Sequence, residues 1–134
     1  MSLIDDIKKH EGYSKTCYRD SLDKLTIGIG FLVDALELDE DICDMILERK
    51  LKKNEDILKR KLDWYDSKSP VVKKVLQNMF YQLHYKLFHF KITLHYIASD
   101  KYKAASIEML DSLWAKQTPN RAKELSEVLA KEDE

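Results

Sequence analysis

Residues 10–31 read HEGYSKTCYRDSLDKLTIGIGF, and all three glycines of the chain, Gly12, Gly28 and Gly30, fall inside this stretch. Glycine adopts backbone conformations that other residues resist, so special geometry is concentrated in the first quarter of the sequence. β-Forming residues flank a polar turn at Ser21 to Lys24. That texture predicts a small β-hairpin or sheet over residues 15–33, the one strand region of the chain.

Working outward, Leu3, Ile4 and Ile7 share a face opposite charged residues. They predict a short amphipathic helix over 2–10 that starts near Ser2 and delivers Glu11 at its C-terminal end. On the other side, Ile42, Met45, Ile46, Leu51, Ile57 and Leu58 recur at near-helical spacing behind Asp39, which predicts a long helix over about 39–62 with Asp39 as its N-cap. After the DSKSP turn, residues 71–83 carry Val72, Val75, Leu76, Met79, Phe80 and Leu83, the pattern of a buried central helix. Further helices are expected at about 91–98, at 100–112 opened by Ser99 or Asp100, and at 119–130, where Pro119 suits a first turn. The C-terminal KEDE is expected to fray. No repeat or flexible linker interrupts the chain. The expected fold class is α+β and mostly helical, a single domain: a small β-hairpin or sheet lobe at about 11–50 and a larger helical lobe at about 60–134, joined by the long helix, with helix 2–10 packed on the helical lobe. A groove between the lobes is the default ligand site.

Hydrophobic residues make up 44% and charged residues 35% of the 134 positions, the balance of a well-folded helical protein. A formal net charge of −1 provides no global positive field for nucleic acid or an anionic membrane. The basic residues within 49–61 read as the solvated face of the long helix. Cys17 and Cys43 form neither a disulfide framework nor a zinc-ligand pattern and are expected to be reduced, packed thiols. His84, His89 and His95 lack the spacing that puts two ligands on one helical face, so no metal or cofactor is expected. Trp64, Trp114 and the tyrosines read as core. No apolar signal-peptide core or run of ~18 to 20 apolar residues occurs, so no stable membrane insertion is expected and the chain is expected to be kept in a cytoplasm until released; a monomer is expected.

Glu11, Asp20 and Thr26 form the pattern E-x8-D-x5-T. Cleaving a glycosidic bond needs an acid for the leaving oxygen and a second polar group that holds or activates a water. Two carboxylates and a hydroxyl meet that need. With 24 acidic residues such spacings also arise by chance, and spacing alone favours solvated surface.

The full string carries more. It resembles the EG-x5-Y-x-D-x5-TIGIGH signature of phage-type lysozymes, the T-even phage endolysins in particular. WAKQTPNRA at 114–122 is similar to that family's W-x-x-QTPNRA segment, and NMFYQ at 78–82 to its NMVFQ helix. The resemblance implies a lysozyme-like fold and an endo-acting muramidase. Such an enzyme hydrolyses the β-1,4 bond from N-acetylmuramic acid to N-acetylglucosamine in bacterial peptidoglycan, with inversion. Glu11 would be the general acid, and Asp20 and Thr26 would hold and activate the water. Arg121 is implied as a supporting residue that pairs with the glutamate, and Gln82 as a groove residue for sugar amides. Gly30 and Phe31 are assigned to substrate binding. The resemblance also implies host lysis by an endolysin that waits in the infected bacterial cytoplasm for a membrane-permeabilising holin. The alternative is a catalytically silent lysozyme-like module that binds glycan or protein.

The chain departs from the family in three places. Phe31 stands where histidine is usual and Lys50 where aspartate is usual, so both halves of an ion pair are absent and Phe31 is expected to pack instead. His84 replaces a glycine, and the following YKLFHF makes a bulkier turn. Between Val33 and about Leu38 the chain is shorter than the pattern.

Overall fold

In the computed structural model, which describes residues 2–133, Ser2 opens the first helix through its own side chain. Its Oγ accepts the Asp5 N–H at 3.1 Å, while the Asp5 carboxylate accepts the Ser2 N–H at 3.4 Å. This reciprocal cap satisfies two N-terminal donors that the helix itself cannot. Helix α1 (Leu3–Glu11) ends where Gly12, at φ 71°, turns its N–H back to the Lys8 carbonyl. Glu11 is therefore the last helical residue, as the sequence predicts.

The β region is a three-stranded antiparallel sheet in the order β1 (Ser14–Arg19), β2 (Leu25–Gly28), β3 (Phe31–Leu32). Thr26 lies on the central strand, opposite Tyr18 on one side and Leu32 on the other. Gly28 and Gly30, at φ 70° and 69°, make the β2–β3 turn possible, since side chains are disfavoured there. Helix α2 (Glu40–Lys61) follows, with the Asp39 carbonyl accepting from Cys43 N at 3.1 Å.

By its internal contacts the chain divides into two units, Met1–Asp44 and Met45–Glu134, with α1 in the first. Among the described residues of the first unit only Thr26 is buried, at 2% exposure.

The second unit holds the apolar core. Helices α3 (Pro70–Leu83), α4 (Lys91–Ala98), α5 (Tyr102–Leu110), α6 (Leu113–Gln117) and α7 (Pro119–Ala130) follow α2. Ser69 caps α3 by accepting from Val72 N at 3.2 Å, and Pro70 fills the first turn, where its missing N–H costs nothing. Val72, Val75, Leu76, Met79 and Phe80 of α3 are buried, so α3 is the central helix expected from its pattern. They pack in one cluster with Leu58, Leu87, Ile97, Met109, Trp114 and Leu129. Truncating such a residue, Phe80→Ala for instance, costs about 3–5 kcal/mol through lost transfer energy and a residual cavity. No described helix is long and apolar enough to cross a membrane.

Polar cross-links tie this core together. The buried Lys68 ammonium donates to the Ile97 carbonyl and to Asp100 Oδ1, both at 2.7 Å, and sits 5.4 Å and 5.6 Å from the Trp64 and Tyr102 ring centres. Gln77 Nε2 donates to Glu55 Oε2 at 2.5 Å and to the Tyr65 hydroxyl at 2.7 Å, joining α3 to α2.

Five expectations change, the exposure of Tyr13 and Tyr85, which read as core, being one. The tail does not fray through Asp133: Glu132 accepts from Ser69 Oγ, and the Asp133 carboxylate accepts from Tyr102 N (3.1 Å) and Lys103 N (2.6 Å). Asp133 thereby caps α5, which begins at Tyr102 rather than at 99 or 100 because Asp100 takes φ 61° and breaks the helical path. Helix α6, capped by Ser112, was not expected from the pattern. Cys17 and Cys43 are free but exposed, not packed.

Candidate functional site

Glu11, Asp20, Thr26, Gly30 and Phe31 all belong to the first unit, and Gln82 and Arg121 to the second.

Within the first unit, the end of α1 sets the Glu11 side chain against the α-carbon of Gly30. A Cβ at Gly30 would meet the Glu11 carboxylate, with its carboxyl carbon 2.7 Å and its Cγ 3.1 Å away. Gly30 thus suits its positive φ, and a Cβ there would make the exposed Glu11 side chain shift. Glu11 itself is exposed.

Asp20 and Thr26 are joined through the backbone of Lys24. Asp20 Oδ1 accepts from Leu22 N (2.9 Å) and Lys24 N (2.8 Å), and Asp20 N donates to the Lys24 carbonyl at 2.9 Å. The same carbonyl accepts from Thr26 Oγ1 at 3.0 Å. Asp20 is therefore the anchor of the β1–β2 turn, a job its residue type does well, and one carboxylate oxygen remains outside that network. The Thr26 hydroxyl spends its proton on Lys24 O, so its oxygen keeps only acceptor capacity. Asp23, at φ 61°, completes the turn.

Phe31 is half exposed, but its ring lies over Gly28, where a built Cβ would be 2.8 Å from a ring carbon. The phenyl group packs on glycine backbone, as expected for an apolar replacement at that position.

In the second unit the two motif blocks bind each other. Gln82 Oε1 accepts from Trp114 Nε1 at 2.8 Å. Arg121 Nε donates to Asn78 Oδ1 at 2.8 Å and its guanidinium to the Asn78 carbonyl at 3.1 Å. Asn78 and Gln82 open and close NMFYQ, while Trp114 and Arg121 belong to WAKQTPNRA. The blocks thus explain each other as partners across α3, α6 and α7. The sequence reading assigned Gln82 and Arg121 to the site but missed Asn78 and Trp114 as their partners; four positions with matched hydrogen-bonding capacity were the available signal.

No protein-family model matches the chain. A curated protein of Dictyostelium discoideum named "Probable T4-type lysozyme 1" is 26% identical over 159 aligned residues, which cover 96% of this chain and 93% of that protein. The aligned span is longer than the 134-residue chain, so the chain is the shorter partner across the match. A mostly helical α+β architecture with one small antiparallel sheet is consistent with a lysozyme-like fold.

Proposed function

We propose that the chain is a lysozyme-like peptidoglycan hydrolase, an endo-acting muramidase that cleaves the β-1,4 bond from N-acetylmuramic acid to N-acetylglucosamine. The observation that carries this reading is the Glu11 carboxylate seated against Gly30 in the unit that also locks Asp20 and Thr26 on one peptide group. The similarity to a protein named as a probable lysozyme, nearly end to end, supports it from a separate direction.

On this reading Glu11 gives its proton to the leaving glycosidic oxygen. Charge then builds at the anomeric carbon, and a water attacks from the opposite face. Thr26 Oγ1 accepts a hydrogen bond from that water, and the free oxygen of Asp20 takes its proton, giving inversion. Both backbone N–H groups on Asp20 Oδ1 hold the carboxylate still during transfer, which is the orientation a positioned base requires. Gly30, Phe31 and Gln82 contact the glycan and Arg121 supports the site. The protein works as a monomeric endolysin of phage type, gathers in the host bacterial cytoplasm, and lyses the host once a holin opens the path to the wall.

The test is clearing of purified peptidoglycan, or of permeabilised Gram-negative cells, by the parent and by Glu11→Gln at equal folded concentration. Clearing by the parent and a loss of at least ~100-fold in Glu11→Gln are expected. Absence of clearing by either protein across pH and salt overturns the reading in favour of a silent module.

A further inference from the structure

Seven of the chain's 23 lysines and arginines fall within residues 49–61 of α2, against two carboxylates, Glu55 and Asp56. The rest of the chain is net acidic, so the overall charge of −1 conceals a local cationic stretch. That stretch lies wholly in the second unit.

Its two ends have different causes. Lys59, Arg60 and Lys61 fill the last turn, where the carbonyl end of the helix dipole favours cations, and Lys59 stands 3.6 Å from Glu55 and 3.9 Å from Asp66. Arg49, Lys50, Lys52 and Lys53 sit more than two turns before the helix end, beyond the reach of the dipole. Among the described residues none of these four takes part in an ion pair, although Glu48 and Asp56 lie within a turn of them. From Met45 to Lys53 every residue but Leu51 is exposed, so the four cations stand on a free length of helix.

Helical geometry gathers them on one face. At 3.6 residues per turn the four span about 160° of the circumference, with Arg49 and Lys53 nearly in line about 6 Å apart along the axis and Arg60 continuing that line. Arg49 repels Lys52 and Lys53, and Lys50 repels Lys53, since like charges three and four residues apart weaken a helix. The free chain leaves that repulsion uncompensated, and a multivalent anion laid along the face relieves it.

The row selects the kind of anion. A single small anion cannot span it, whereas a phosphodiester polymer carries one charge per organic repeat, a length close to the step between successive turns of α2. Single-stranded nucleic acid shares that backbone but gains its hold by stacking bases on aromatic rings, and α2 contains no aromatic residue between Glu40 and Lys61. Polyol units need no such platform.

We infer that the Arg49–Lys53 face of α2 holds a linear polyol-phosphate polymer of the kind attached to bacterial walls. The inference rests on the peptidoglycan reading for its setting and adds a selectivity to it: walls that carry the polymer are held in preference to walls stripped of it.

The probe is purified poly(glycerol phosphate), titrated onto the full chain by calorimetry at ~50 and ~200 mM salt. Neutralising four phosphates of a flexible strand gives a log–log salt slope of about −3, so binding is expected to weaken ~50-fold over that interval. Changing Arg49, Lys50, Lys52 and Lys53 together to glutamine is expected to weaken binding at least ~10-fold at ~50 mM salt and to flatten the slope. Glutamine forms helix about as well as lysine and the positions are exposed, so the Tm of that variant is expected not to fall. Lys59→Gln with Lys61→Gln, at the end that the dipole explains, should change binding less than ~3-fold. Unchanged binding in the four-site variant, tighter binding of poly-uridylate of equal charge, equal binding of polyglutamate of equal charge, or no binding at ~50 mM salt overturns the inference. Titration needs no turnover, so wall clearing without polymer binding removes the α2 site and leaves the muramidase standing. Polymer binding without clearing does the reverse.

Discussion

Replacing Lys68 by methionine isolates a single buried charge. Methionine keeps most of the apolar stem and so keeps the packing, but removes the ammonium that donates at 2.7 Å to Ile97 O and at 3.4 Å to Ala98 O. A hydrogen bond from a charged donor is worth about 1.5–3 kcal/mol. Ile97 O still accepts from Asp100 N at 3.0 Å, so it is not left orphaned and the lower half of that range applies. Asp100 is exposed and rehydrates, so its loss is small beside that of the buried carbonyl contact. The expected cost is about 2 kcal/mol, which for a domain of this length lowers Tm by about 7 °C. Thermal unfolding followed at 222 nm reads this directly, and Asp100→Asn should lose less than Lys68→Met. There is also a signature in pH. The hydrogen bond from Lys68, and after it that from Tyr102, holds the Asp100 carboxyl below its ordinary value of 3.8. A depressed folded value means stability that is present above pH 3.8 and lost as pH falls through the folded value, so the gap between parent and variant narrows in that acid window. A Lys68→Met protein that melts within ~1 °C of the parent at neutral pH refutes the reasoning.

Gly30→Ala should fold but clear peptidoglycan at least ~10-fold more slowly, because its Cβ displaces the Glu11 carboxylate; unchanged clearing would mean Glu11 can move without cost. Tyr65 and Tyr102 are each pushed up to about 12, by burial first. Folding therefore favours their neutral forms, and the stability they contribute is intact below pH 10 and falls as pH rises through 12. Ultraviolet titration should find two of the seven tyrosines still protonated when the rest have ionised. Asp133→Ala removes the carboxylate that caps α5 and should cost about 1 kcal/mol in urea unfolding, with faster amide exchange at Tyr102 and Lys103.

Where chemistry is local, the residues were readable in advance. Ser2 with Asp5 starts α1, Gly12 stops it, and Pro119–Ala130 opens on a proline in the favoured place, so those bounds follow from neighbours a turn away. Helix α5 was misplaced because its cap arrives from Asp133, some thirty residues on, which no window of sequence contains. Helix α6 is five residues long, too short to show a period. Cys17 and Cys43 looked like core because thiols usually are; their exposure depends on what surrounds them in three dimensions. For the site, Glu11, Asp20 and Thr26 stood out as residue types, but their ties could not be seen. That Gly30 makes room for Glu11, and that one Lys24 carbonyl serves both Asp20 and Thr26, depends on how a turn closes.

The scarcity of buried side chains before Met45 bears on how the protein would fail. Regions with few buried apolar contacts open locally at lower free energy than the whole molecule. Glu11, Asp20 and Thr26 therefore belong to the labile end of the chain, while the cluster around Phe80 sets the global melt. Mild heat would silence such a protein while its ellipticity still read as native, and on cooling the lost function would return without any refolding of the core.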